Sequence, residues 1–335
     1  MQASIYGLEG LQLTSGERGF FRDADPAAFI LFKRNCETRD QVLKLTDSLR
    51  DLTGRADLPI LIDQEGGRVA RMKPPEWPAF PAAERFADLY RAAPSSAIEA
   101  VRSNARALGL MLRSVGVNVN ALPLLDVRQE GASDIIGDRA LGSEPMQIAA
   151  LGRAVLDGMA SAGVVGIIKH MPGHGRALVD SHKELPVVIA SAQELEVDLE
   201  PFERLASAPM GMTAHVVYTA WDEEQPASMS LSLIRDIIRE RIGFDGFLMS
   251  DDIGMEALDG DFGSRGAGVV AAGCDAALHC SGVMEEMIAV AAAVPSMSAE
   301  GEARLARAMA TTMIEPDGPG FAEAIEKRDT LLALV

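Results

Sequence analysis

Cysteine and long apolar runs are both scarce in this sequence. The chain has three cysteines in 335 residues, and an odd number without C-x-x-C spacing indicates neither a disulfide framework nor a zinc knuckle. No apolar segment approaches the roughly 18 residues that a membrane-spanning helix requires. The first residues, MQASIYGLEGLQLT, lack the basic and apolar regions of a signal peptide. These absences predict a cytoplasmic protein that does not enter a membrane.

Positive charge is also in short supply. Lysine and arginine number 31 against 49 aspartate and glutamate residues, which gives a formal net charge of −18. Binding to nucleic-acid phosphates needs concentrated lysine and arginine, so this balance argues against a nucleic-acid partner. An acidic surface mainly promotes solubility and does not identify a function.

Short apolar runs recur along the chain and predict strands. There are eight: SIYGLEG, AFILF, LPILID, VNVNALPLLDV, VVGIIKH, GMTAHVV, GFLMSDD and AALHC. Runs without polar alternation are typical of strands that are buried on both faces of a parallel sheet. Segments with helical spacing lie between them, such as TRDQVLKLTDSLRDLTG, whose apolar face is formed by Val42, Leu45, Leu49 and Leu52. Gly54 is a stop signal for that helix.

Eight strand and helix units predict a (β/α)8 TIM barrel, with residues 1–335 as a single domain that ends in packing helices. The alternative is a doubly wound open sheet, but the chain has no G-x-G-x-x-G after its first strand and no G-x-x-x-x-G-K-[ST]. In a barrel, functional residues lie at the carboxyl ends of the strands. There, the segments DQEGGRVAR, IIGDRALG, KHMPGHG, TAH and SDDIGM, together with Asp126 at the end of the fourth strand, bring acids, bases and cations to one rim.

Three of the five histidines lie in one stretch, KHMPGHGRALVDSHKELP. His170 and His174 have the spacing of two metal ligands on one helical face. The intervening Pro172 and Gly173 break such a helix, which weakens the interpretation as a metal site without removing it. A further interpretation is a structural loop whose histidines make only local hydrogen bonds.

An acid/base interpretation of this stretch uses Asp180 and His182. Residues i and i+2 of an extended segment point the same way, so the carboxylate can reach the imidazole, fix its tautomer and stabilise its protonated form. Such a pair transfers protons near neutral pH. The alternative is a local hydrogen bond without a catalytic role.

Asp251 and Asp252 end the run GFLMSDD. Successive side chains of a strand diverge, so one carboxylate is expected to face the barrel mouth while the other turns into the structure. The inward carboxylate suits a nucleophile or a metal ligand. Otherwise both acids cap the helix that follows.

Seven segments, in this order, resemble glycoside hydrolase family 3, and within it the bacterial single-domain β-N-acetylglucosaminidases of peptidoglycan recycling. They are LFKRNCET, LPILIDQEGGRVAR, VNVNALPLLDV, IIGDRALG, KHMPGHGRALVDSHKELP, GMTAHVVYTA and GFLMSDDIGMEAL. The long KH-PGHG…DSH motif is the most specific of them. The chain departs from the pattern at Ile253 and Gly254, where Leu-Ser is usual, and at Met171, where Phe is usual.

The resemblance implies a role for each matching residue. Asp251 is the expected nucleophile, His182 the general acid/base and Asp180 its partner. The expected substrate-binding residues are Asp63, Arg71, Arg139, Lys169 and His170. For Arg139 and Lys169, structural salt bridging is the alternative. The resemblance implies no cofactor and no metal, and we expect a monomer that binds a small substrate containing N-acetylglucosamine.

The implied reaction is the retaining hydrolysis of terminal β-N-acetylglucosamine from muropeptides. A carboxylate on one face of the anomeric carbon and a proton donor on the other suit a double displacement through a glycosyl-enzyme. Two other functions stay open: a metal-dependent hydrolase that uses the histidine-rich loop, and a sugar-binding barrel without catalysis. His215 and His279 are expected to be packed residues, and His174 to maintain the shape of its loop.

Overall fold

Eight parallel strands close into a barrel in the computed structural model, which describes residues 1–129, 131–181, 183–313 and 315–335. The strands in chain order are β1 (Gln2–Gly7), β2 (Pro26–Leu31), β3 (Ile60–Ile62), β4 (Val119–Asn120), β5 (Val165–Met171), β6 (Val187–Val188), β7 (Met210–Thr213), β8 (Val217–Tyr218), β9 (Phe247–Asp252) and β10 (Ala276–His279). Strands β6 and β8 form a separate two-stranded sheet, and the other eight pair in chain order until β10 meets β1. The predicted (β/α)8 barrel is therefore confirmed.

Helices pack around the barrel. They are α1 (Ser15–Ala24), α2 (Arg39–Thr53), α3 (Ala83–Ala92), α4 (Pro94–Arg113), α5 (Pro145–Ser161), α6 (Ala192–Arg204), α7 (Phe262–Ala271), α8 (Met284–Ala293), α9 (Ala299–Met309) and α10 (Phe321–Leu332), with a π-helical segment at Leu233–Arg241 and 3-10 turns at Lys33–Asn35, Gly137–Arg139 and Ala310–Met313. Within the described ranges, no helix is both long and apolar enough to cross a membrane.

Helix α2 shows how the local sequence determines an element. The Thr38 hydroxyl caps its first turn, and Gly54 ends it in the left-handed conformation, with φ of 67°. Val42, Leu45 and Leu49 are buried against the barrel. The face and the stop signal predicted from the sequence are both confirmed.

The short strand β4 is joined to the chain around β3 by two asparagine side chains. Asn118 accepts the backbone N–H of Ile60 at 2.8 Å and donates to the carbonyl of Leu58 at 3.0 Å. Asn120 makes the same pair of bonds with the backbone of Gln64, each at 3.0 Å. Because amide side chains supply bonds that a longer backbone ladder would otherwise provide, the segment VNVN fixes the carboxyl end of β3 with only two paired residues.

Strand β5 carries two polar residues into the barrel interior. All seven of its residues are buried, including Lys169 and His170 near its carboxyl end. A buried ammonium group is stable only when it is paired with anions. The fold therefore requires carboxylates from neighbouring segments to meet β5 at this end of the barrel.

Candidate active site

A pocket opens at the carboxyl ends of the barrel strands. Its wall includes six residues that were predicted from the sequence: Asp63, Arg71, Arg139, Lys169, His170 and Asp251. It also includes Glu65, Arg68, His174, Ser181 and Asp252. These residues are far apart in the sequence, and they converge because the carboxyl ends of parallel strands meet on one rim.

Three cations and two carboxylates form a continuous ion-pair network in the pocket wall. Glu65 accepts two N–H groups of Arg139, each at 2.8 Å, and pairs with the Lys169 ammonium at 2.7 Å. Asp63 lies 3.3 Å from the same ammonium and 2.9 Å from the Arg71 guanidinium. The Lys169 and Glu65 side chains are only 3% and 4% exposed. These charges are therefore stabilised by one another and not by water.

The network determines the ionisation of both carboxylates. Burial alone would raise the pKa of Glu65, but the Lys169 and Arg139 charges outweigh it and lower that pKa to about 2. The pKa of Asp63 is also lowered, because Lys169 and Arg71 outweigh burial and the charge of Glu65. The salt bridges considered as an alternative for Arg139 and Lys169 are thus present. Both cations still line the pocket, where a ligand can reach them.

Asp251 and Asp252 end β9 with different contacts. Asp251 Oδ1 accepts the backbone N–H of Asp252 at 2.8 Å. Asp252 Oδ1 accepts the backbone N–H groups of Gly254, at 2.9 Å, and Cys280, at 3.2 Å. The Asp252 carboxylate thus organises the turn behind the pocket. Neither acid caps α7, whose N-cap is Asp261, so that alternative is wrong.

The groups around Asp251 keep its carboxylate ionised. Burial raises its pKa, but His170 and His215 act in the opposite direction. The backbone N–H of Asp252 and the Lys169 charge add to them, and the net pKa lies below the ordinary value. An unprotonated carboxylate in the pocket is what nucleophilic attack requires.

A buried carboxylate, Asp126, holds the two histidines of the pocket. Its Oδ2 lies 2.8 Å from His170 Nδ1, and its Oδ1 accepts the backbone N–H of His174 at 2.7 Å. His174 Nε2 lies 3.2 Å from the Ser181 hydroxyl. Across the described ranges, no group of three or more His, Cys, Asp or Glu residues could hold a metal ion.

The remaining two described histidines are fully buried. His215 contacts the Ser228 hydroxyl at 2.6 Å, and His279 contacts the Glu286 carboxylate at 3.1 Å. Both are packed residues, as expected from the sequence.

The loop after β5 is firmly attached at its root. Gly175 lies so close to the loop after β4 that a Cβ atom there would be 1.9 Å from a backbone carbonyl oxygen. Arg176 pairs with the buried Asp198 of α6 at 2.6 Å. The Tyr218 hydroxyl donates to the Gly173 carbonyl at 2.8 Å. The segment PGHGR is therefore part of the barrel rim.

Backbone hydrogen bonds link Asp180 to the residues that follow the DSH motif. The Asp180 carbonyl accepts the backbone N–H groups of Lys183, at 2.9 Å, and Glu184, at 3.2 Å. The extended conformation expected from Asp180 to His182 stays a prediction. His182 lies outside the described residues, so its pairing with Asp180 stays a prediction.

The sequence places Glu65 and Asp126 at the rim but assigns neither of them a role in the site. Glu65 follows Asp63 by two positions after a strand, and side chains at i and i+2 of an extended segment share a side. Asp126 is the acidic residue near the end of the fourth apolar run, VNVNALPLLDV. These positions are the signals by which both could have been found.

A parallel barrel whose carboxyl-end pocket combines carboxylates, cations and histidines is the architecture of an enzyme that acts on polar small molecules. Residues 11–312 match the glycosyl hydrolase family 3 N-terminal domain. The chain therefore belongs to glycosyl hydrolase family 3, and the family predicted from its motifs is confirmed.

Individual relatives agree with this assignment. A beta-hexosaminidase of Bordetella avium (strain 197N) is 36% identical over 277 residues, which cover 81% of this chain and 78% of that protein. Native NagZ from Neisseria gonorrhoeae superposes with a TM-score of 0.89 at 29% identity, covering 99% of this chain and 98% of that structure. The same NagZ in complex with N-trifluoroacetyl-D-glucosamine has a TM-score of 0.86 at 28% identity, with the same coverage.

Removal of the Glu65 charge should destabilise the protein. Glu65→Gln keeps the side-chain shape but leaves Lys169 and Arg139 without their shared anion, and loss of one partner of a buried ion pair costs about 3–5 kcal/mol. We expect the free energy of unfolding, measured by urea denaturation, to fall by that amount. Asp138→Asn breaks a partly exposed pair with Arg68 and should cost about 0–1 kcal/mol. Equal losses in the two variants would contradict this account of the network.

The burial of His174 should make stability depend on pH. Burial and the neighbouring His170 lower the pKa of His174 from 6.5 to about 4. Between these values the unfolded chain binds a proton that the folded chain does not, so stability is lost as the pH falls from 6.5 towards 4. The free energy of unfolding, measured by urea denaturation, should fall as the pH is lowered from about 7.5 to about 5. In His174→Gln this fall should be about 1–2 kcal/mol smaller than in the wild type. Parallel losses would show that another group titrates.

Proposed function

We propose that this family 3 member is a retaining exo-β-N-acetylglucosaminidase that removes non-reducing terminal N-acetylglucosamine from muropeptides. The observation that carries the proposal is an ionised carboxylate, Asp251, in a pocket lined by donors and acceptors suited to sugar hydroxyls. The name of the Bordetella relative and the amino-sugar complex of NagZ support an N-acetylhexosamine as the substrate.

The proposed reaction has two displacement steps. The Asp251 carboxylate attacks the anomeric carbon while His182 protonates the departing glycosidic oxygen, so the bond to the aglycone breaks and a glycosyl ester forms. His182 then takes a proton from water, whose oxygen attacks the anomeric carbon and releases Asp251. Asp180 holds the imidazole in the tautomer that both steps use. The roles of Asp180 and His182 rest on the DSH motif.

The proposed sugar subsite has free donors despite its ion pairs. Counting partners among the described residues, Lys169 directs two of its three ammonium hydrogens to Glu65 and Asp63, which leaves one for a ligand. On the same count, Arg139 uses three of its five N–H groups on Glu65 and the Ile135 carbonyl, which leaves two. Sugar binding is assigned to Asp63, Arg71, Arg139, Lys169 and His170.

The proposed reaction uses neither cofactor nor metal, because Asp251 supplies the nucleophile and His182 the proton. We further propose that the enzyme is a monomer that acts in the cytoplasm, in peptidoglycan recycling. The family resemblance of its motifs supports the recycling role and, with it, the location.

A mechanism-based sugar tests the nucleophile. The protein should release the alcohol from an aryl β-N-acetylglucosaminide at the same rate with and without a chelator. The 5-fluoro analogue should label Asp251, as identified by peptide mass mapping. Release that a chelator abolishes and zinc restores would support the metal-dependent alternative, and tight sugar binding without release would support the non-catalytic barrel. A label on another residue would refute the role of Asp251.

A comparison of leaving groups tests the acid. His182→Ala should lower kcat/KM for a natural glycoside by about 10²–10⁴-fold, because its leaving oxygen needs a proton. The kcat/KM for an activated aryl glycoside, whose leaving group needs no proton, should fall much less. Lys183→Ala, which alters the exposed side chain next in the sequence, should leave kcat/KM for both substrates unchanged. Equal losses for the two substrates in His182→Ala would indicate a structural role.

A further inference from the structure

The Asp126 side chain, which follows β4, is completely buried. Its Oδ2 lies 2.8 Å from His170 Nδ1, while its Oδ1 accepts the backbone N–H groups of His170, at 3.2 Å, and His174, at 2.7 Å. One carboxylate therefore holds both the ring of a pocket histidine and the backbone of the loop that starts beside it. Asp126 does not contribute to the pocket wall in the described part of the chain.

The ionisation of Asp126 defines the state of the His170 ring. Burial raises the pKa of Asp126, but its interactions with His170 and His174 outweigh burial and lower that pKa below the ordinary value. An ionised carboxylate only accepts hydrogen bonds, so the proton between the two groups belongs to His170 Nδ1. Nε2 is then the ring nitrogen that His170 presents to a ligand.

We propose that Asp126 is a positioning residue for the sugar subsite, because its carboxylate holds Nδ1 of His170 and thereby directs Nε2 into the pocket. The inference rests on the proposed function, in which His170 binds the sugar. Asp126 acts on the ligand through His170 and does not touch it. Its bond to the His174 backbone fixes the segment between the two histidines, so the ring cannot turn away without moving the loop root.

Two routes connect Asp126 to catalysis, and they predict different kinetics. If Asp126 acts through His170, it acts on the sugar, which is common to every substrate. Loss of its charge should then lower kcat/KM equally for a natural and an activated glycoside. If Asp126 acts through His174 and the loop, it acts on proton transfer, and kcat/KM should fall strongly only for the natural glycoside. The proposal commits to the first route.

Asp126→Asn tests this route, since the amide keeps the size of the side chain but removes its charge. We expect the Kd for N-acetylglucosamine, measured by calorimetry, to rise roughly 10–100-fold, by analogy with the loss of a carboxylate that orients a metal-binding histidine. The kcat/KM for natural and activated glycosides should fall by the same factor. Nitrogen-15 spectra of the histidine rings, of which the chain has five, should show a changed Nδ1–H signal for His170.

Asp275→Asn is the matched control. Asp275 is also buried, and it pairs with Arg239 and Arg304, each at 3.0 Å, before the amino end of β10. Because this is the opposite end of the barrel from the pocket, its loss should lower stability and leave the sugar Kd unchanged. A similar change of Kd in both variants would overturn the proposal by showing a general effect of destabilisation.

A double-mutant cycle separates positioning from misfolding. In a His170→Ala background, Asp126→Asn should weaken sugar binding no further, because the ring through which it acts is absent. The proposal would be overturned if the two substitutions had additive effects on the sugar Kd, or if Asp126→Asn alone left that Kd unchanged. It would also be overturned if Asp126→Asn lowered kcat/KM only for the natural glycoside. If Asp126→Asn does not fold, Asp126→Glu, which keeps the charge but displaces it, should show the same dependence on His170. A wild type that binds the sugar without hydrolysing it would refute the proposed function while leaving this calorimetric test intact.

Discussion

The ion pair between Lys169 and Glu65 is the interaction on which the barrel mouth depends. An unpaired charge at this depth costs several kcal/mol, so the ammonium group at the end of β5 is stable only because the segment after β3 brings a carboxylate within 2.7 Å. The same carboxylate holds Arg139, which arrives from the loop after β4. Three segments that are distant in the sequence must therefore reach their positions together, and the subsite forms as one unit.

The carboxylates of the pocket have different roles because they have different partners. Glu65 has both oxygens engaged by cations, so it serves as an internal counter-ion, whereas Asp63 shares its charge between two partners. Asp251 binds a backbone N–H and stays ionised through groups that surround it. Within the ion-pair network, Glu65 and Asp63 are thereby paired with three cations, Lys169, Arg71 and Arg139. Such a preorganised arrangement can stabilise charge that develops on a bound sugar without reorganising the protein.

Sequence patterns predict this fold more completely than its site. Strands buried on both faces leave apolar runs, and each of the eight runs overlaps a barrel strand, whereas the two-residue strands β6 and β8 were not predicted as separate strands. In the site, a strand-end acid such as Asp251 is visible in the sequence. Glu65 and Asp126 act through partners that only folding brings near, since His170 lies 44 positions from Asp126. The backbone hydrogen bonds that the Asp180 carbonyl accepts are not encoded by residue spacing.

The loop after β5 has two parts, an embedded root and a more exposed stretch that follows it. Its root is embedded, because Gly175 has no room for a side chain and Arg176 is tied to Asp198. Beyond Ala177, Leu178 is 70% exposed, whereas Ser181 is buried and returns to the pocket wall, 3.2 Å from His174 Nε2. Changes confined to the exposed stretch around Leu178 therefore need no repacking of the barrel, whereas a change at the root must rebuild the β4 loop and α6 as well. The loop can thus vary in its middle while both of its ends stay attached to the pocket.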